Sequence, residues 1–74
     1  MEKDNNKMAF EAGADFAKYL NDTPREAQNW GFLTERDEMP SEDYVTLRES
    51  AGVVTDEMAD EYRRGFNSVF EPVN

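Results

Sequence analysis

Apolar residues recur along this chain at helical spacing. Between Asn6 and Leu20, the residues Ala9, Phe10, Gly13, Phe16, Ala17 and Leu20 form an approximate i, i+3, i+4, i+7 stripe, with Glu11, Asp15 and Lys18 on other faces. That pattern predicts an amphipathic helix over about 6–20. Ala12, Gly13 and Ala14 place a small-residue patch in its middle. Glycine costs about 1 kcal/mol against alanine inside a helix, and a close crossing with a second helix is the simplest reason to keep one.

A second helix is predicted over about 24–33. Thr23 stands as its N-cap, Pro24 at the first helical position and Glu26 at the third, an arrangement that satisfies orphan N–H groups reciprocally. Ala27 and Trp30 or Gly31 would face inward. Thr34 to Pro40 break the pattern and read as a loop or a frayed last turn. Ser41 then caps a third helix over about 42–51, in which Tyr44, Leu47 and Ala51 keep helical spacing until Gly52 stops it. Because Val45, Thr46, Val53 and Val54 are β-branched, a rival reading makes residues 44–47 and 52–55 short strands.

The fourth helix, over about 56–70, carries the strongest periodicity. Thr55 is its N-cap, Asp56 and Glu57 fill the positive first turn, and Met58, Tyr62, Phe66, Val69 and Phe70 fall at i, i+4, i+8, i+11 and i+12 before Pro72. Asp60 is spaced to pair with Arg64, leaving Arg63 to reach acids on a second copy. Helices one and four are expected to form the main packing pair.

These elements make an all-α fold, a small bundle of three to four short helices. At 74 residues there is room for one domain. Leu, Ile, Val and Phe number only 13, below the roughly 20% level that warns of disorder in a highly charged chain. Nine aromatic residues argue the other way. The expectation is a marginal monomer that gains stability from a partner or from dimerisation.

Charge changes the picture most. Seventeen acids against eight bases leave a net charge of -9, which disfavours direct contact with nucleic-acid phosphates or an anionic membrane surface and favours a basic protein partner. The acids are concentrated: Glu35, Asp37, Glu38, Glu42, Asp43, Glu49, Asp56, Glu57, Asp60 and Glu61 stand against Arg36 and Arg48 alone, so residues 35–61 hold -8 of the total. Glu42, Asp43, Asp56 and Glu57 also have a local reason, since helix first turns favour anions by about 0.3–1 kcal/mol each. Spread along a helix of 27 residues at about 1.5 Å each, eight net charges come to about one per 5 Å. Duplex DNA carries about one per 1.7 Å and a single strand about one per 3.4 Å. One copy is too dilute to stand in for a duplex, but it can copy part of a single phosphate track.

Candidate chemistry is sparse. With no Cys and no His, there is no thiolate nucleophile, imidazole base or Cys/His zinc site. No window around Asp4, Asp37 or Asp56 has the ligand pattern of an EF-hand loop, Ser41, Ser50 and Ser68 have no His to activate them, and no Gly-rich phosphate cradle is present. Neither catalysis, metal nor cofactor is expected. The polar start of the chain lacks the apolar run of a signal peptide or membrane span, so a cytoplasmic location is expected. Trp30-Gly31-Phe32-Leu33 is the most apolar cluster. It is read either as a helix end folded onto the core or as a surface anchor, Trp30 and Phe32 beside Arg25 and Arg36 within an acidic surround.

In size, acidity and lack of catalytic residues the chain is similar to the small accessory proteins that phages and mobile elements make to block host enzymes. That likeness is one of type and covers no motif. Two functional expectations follow. One is an acidic inhibitor or modulator of a basic, nucleic-acid-handling protein, acting through the ten acids with Trp30 and Phe32 nearby and in its extreme form imitating nucleic acid. The other is a structural or self-associating module whose acids only solvate it.

Overall fold

Side-chain caps fix where the two long helices begin. The Asp4 carboxylate accepts from the Lys7 N–H at 3.0 Å, and the Thr55 hydroxyl oxygen accepts from the Met58 N–H at 3.1 Å, each satisfying a donor that helix geometry leaves without a partner. The computed structural model describes residues 4–73. About two-thirds of them are helical: α1 (Asn5–Asn21), α2 (Pro24–Ala27), α3 (Ser41–Ala51) and α4 (Asp56–Val69), with no strand among the described residues. The all-α reading holds, and the strand alternative for 44–47 and 52–55 does not.

α1 and α4 are the packing pair, and they run in the same direction. Near their starts the Asn6 amide donates to the Glu57 carboxylate at 3.2 Å; at their ends the Asn21 amide donates to the Val69 carbonyl at 2.9 Å. Their backbones meet through two glycines. A methyl group added to Gly13 would overlap the Tyr62 carbonyl oxygen and lie 3.0 Å from the Phe66 nitrogen, and one added to Gly65 would overlap the Phe10 carbonyl oxygen. The crossing inferred from Gly13 is therefore present, and Gly65 is its counterpart on α4.

Around the crossing lies the core, made of Ala9, Ala17, Leu20, Ala27, Leu33, Leu47, Met58, Tyr62, Phe66 and Phe70. Aromatic rings extend it toward the C-terminal ends of both helices: Phe16 meets Trp30 edge-on at 5.0 Å, and Phe66 stacks on Phe70 at 5.0 Å, geometries that add to simple burial.

The second helix is much shorter than expected. It stops at Ala27, where the Asn29 and Trp30 N–H groups turn back on the Glu26 and Ala27 carbonyls in three-residue steps. Continuing the helix would hold Trp30 and Leu33 on one rigid stripe. The extended segment instead lets Trp30 reach the rings of Phe16 and Phe66 while Leu33 buries itself further along α4. Asn67 fixes this path, accepting from the Leu33 N–H at 2.7 Å and donating to the Leu33 carbonyl at 2.9 Å.

Two caps also differ. Thr23 makes no side-chain bond to the start of α2. Ser41 is the first residue of α3 rather than its cap; Pro40 occupies the cap position, where no side chain can accept. The far end of α3 is as expected, closed by Gly52 at φ 84°, a left-handed conformation that suits glycine.

Candidate protein-binding site

Parallel packing of α1 and α4 brings two helix N-termini to the same end of the molecule, and with them two positive ends of backbone dipoles. Asp4, Asp56 and Glu57 sit there. The loop of residues 34–40 folds back onto this region because Thr34 and Asp37 close a tight turn, with the Asp37 carboxylate accepting from both the Thr34 N–H at 2.8 Å and its hydroxyl at 3.2 Å.

Two grooves result. The first, an opening of about 670 Å³ between α3 and α4, has Glu35, Asp37, Glu38 and Asp56 on its walls together with Arg36 and Arg63. The second, about 710 Å³, lies between residues 33–35 and the outer face of α4 and has Glu35, Glu57, Asp60 and Glu61 with Arg63 and Arg64. Glu35 and Arg63 line both, so the two grooves adjoin.

Seven of the ten acids singled out in the sequence thus share one continuous region. The other three do not join it. Asp43 turns inward and accepts a hydrogen bond from the Tyr62 hydroxyl. Glu42 lies toward Tyr19, whose phenol pKa is raised mainly by Glu26, as acceptor and as charge, with a smaller push from Glu42. Glu49 is exposed on α3 and lines neither groove. Tyr62 is buried and tied to Asp43, and both desolvation and that carboxylate push its pKa far above 10.0.

Two arginines of α4 are also spoken for. Arg64 pairs with Glu61 at 2.7 Å rather than with Asp60, because Asp60 is taken by Arg63 three residues on. Arg63, expected to serve a second copy, is instead an internal counter-ion set between the two acidic grooves; only 18% of its side chain is exposed.

The aromatic pair divides. Trp30 is half-buried against Phe16 and Phe66, in line with the reading as a core-facing segment, whereas Phe32 is 54% exposed, with its ring against Phe70. Trp30 lines neither groove, and neither does Phe32.

Met39, Tyr44, Val45 and Val54 form an apolar lining to the first groove that the sequence reading did not single out. Val45 falls on the side of α3 away from Leu47, and Tyr44, expected to face inward on the Leu47 stripe, is instead 43% exposed.

Among the described residues no three carboxylates are grouped so as to hold a metal ion, and no helix is long and apolar enough to cross a membrane. Comparison with protein-family models, curated proteins and solved structures gives no match.

Proposed function

We propose that this protein is a non-catalytic acidic binding module that inhibits or modulates a basic, nucleic-acid-handling protein. The observation that carries the reading is the gathering of Glu35, Asp37, Glu38, Asp56, Glu57, Asp60 and Glu61 on two adjoining grooves from a loop and a helix. Asp56 and Glu57 suit a helix first turn and Asp60 and Glu61 pair with arginines, but neither reason brings the loop acids Glu35, Asp37 and Glu38 to the same region. Seven carboxylates against the guanidinium groups of Arg36, Arg63 and Arg64 leave a regional charge of -4. That density suits recognition of a basic segment better than full replacement of a duplex. The same surface would obstruct nucleic-acid binding by occupying the partner's cationic residues, which is how the small phage-type accessory proteins it resembles would act.

The test compares the wild-type chain with the double reversal Glu35→Lys, Glu38→Lys as immobilised bait for a bacterial lysate, eluted with rising salt. The expected result is a basic protein retained by the wild type alone, released by about 300 mM salt as surface charges are screened, and slowed in its nucleic-acid binding by added wild-type chain. A captured partner indifferent to both salt and charge reversal would count against the reading.

A further inference from the structure

α3 stands away from α4. No Cα of α3 comes within 8 Å of a Cα of α4, although helices in direct contact have axes about 8–10 Å apart and bring their Cα atoms closer than that at the crossing. Leu47 is the one α3 residue that is fully buried, and the Tyr62 hydroxyl spans to Asp43 on one side of the gap. The other side is open. It is the groove of about 670 Å³ whose apolar lining is Met39, Tyr44, Val45 and Val54, with Tyr44 43% and Val45 50% exposed.

We propose that this groove takes a basic amphipathic helix of a protein partner. The inference rests on the reading above and names the chemistry of what binds. The aliphatic stripe of the incoming helix would cover Met39, Tyr44, Val45 and Val54, while its Lys and Arg residues on either side of the stripe meet Glu35, Asp37, Glu38 and Asp56.

Charge selects the class of occupant. Four carboxylates on the walls face Arg36 and Arg63, and Arg63 already answers Asp60, so the groove is short of positive charge. A second copy at net charge -9 would bring acid against acid, and a nucleic acid would do the same. Shape selects the helix. There is no strand among the described residues, so no sheet edge is offered for an extended segment to pair with. A groove between two helices suits anchors at i, i+3 or i+4 and i+7. Met39 supplies a flexible, polarizable side chain that can adjust to different aliphatic anchors.

The experiment titrates the full chain by NMR with two synthetic peptides of identical composition. One carries leucines at i, i+3, i+4 and i+7 with lysines elsewhere; the other has the same residues shuffled to remove the stripe. At 50 mM salt the striped peptide is expected to bind at least tenfold tighter, with shifts centred on Met39, Tyr44, Val45 and Val54. The exposed double change Tyr44→Ser, Val45→Ser should remove that advantage, and Glu38→Lys should weaken both peptides. Equal affinity for the two peptides, unaltered by the serine changes, would overturn the groove proposal and leave the acidic-module reading standing. Failure of both peptides to bind at 50 mM salt would overturn both. Shifts at the same four residues on raising protein concentration without peptide would replace the partner helix with a second copy.

Discussion

The aromatic half of this molecule and its acidic half are held by different forces. Where α1 crosses α4, backbone meets backbone at Gly13 and Gly65, and Phe16, Trp30, Phe66 and Phe70 pack ring to ring around the contact. Where α3 lies, one fully buried leucine and one phenol–carboxylate bond tie it in, and its backbone comes near that of α1 but stays beyond 8 Å from that of α4. The first arrangement has almost no freedom to adjust. The second has room for a change of rotamer or a small rotation, and the gathered charge lies along its border: three of the seven acids stand on the loop before α3 and four on α4.

The sharpest way to break this contrast is to force the crossing apart. Gly65→Ala puts a methyl group into the Phe10 carbonyl, where backbone rather than a flexible side chain must yield. The loss should be about 3 kcal/mol or more, a large fraction of what a domain this small possesses. Thermal denaturation followed by circular dichroism should show a drop in Tm of more than about 10 °C. A drop of only a few degrees would mean that the helices do not approach so closely.

Leu47→Ala addresses the other half. Truncating a fully buried leucine costs about 2–5 kcal/mol, but here the cost should fall on α3. Hydrogen exchange is expected to show protection lost across Ser41–Ala51 while the amides of α1 and α4 keep theirs. Equal loss in all three would show the halves to be one cooperative unit.

Tyr62→Phe should have the smallest effect, about 1 kcal/mol near neutral pH for one hydrogen bond. Its distinguishing mark is alkaline. The folded state keeps the Tyr62 proton well above pH 10.0, while the unfolded chain gives it up near that value. The unfolded state therefore binds fewer protons, and the Tyr62 share of stability is intact below pH 10 and falls by about 1.4 kcal/mol for each pH unit above it. The phenylalanine variant should lack that share of the slope in urea titrations between pH 9 and 11.

Much of this arrangement was legible in the sequence, for identifiable reasons. The α4 stripe is long, capped by a threonine whose bond is local and ended near a proline, so no distant contact was needed to find it. Gly13 announced the crossing because alanines flank it; Gly65 did not, because Arg64 and Phe66 on either side give no hint of close approach. The length of α2 was misjudged because Trp30 fits a helical stripe equally well before its partners are known. Asn21 and Asn67, which clamp distant backbone by two bonds each, look like any other asparagine in a polar chain. The acidic concentration was plain, yet whether a carboxylate lines a groove, as Glu38 does, or turns inward, as Asp43 does, depends on how the chain returns from the end of α1 to the start of α4. Local spacing does not contain that path.

The parallel pairing of α1 with α4 sets an order of events during synthesis. The first helix emerges with its apolar face complete, but the surface that covers Gly13 belongs to residues 56–69, near the other end of the described chain. Contacts this far apart in sequence close late and slowly. A nascent chain that has released α1 but not yet α4 has Trp30 to set against Phe16 but lacks Tyr62 and Phe66, which cover Gly13 and the rest of that ring. Until the last helix appears, the net charge of -4 on residues 35–49 opposes association between such chains.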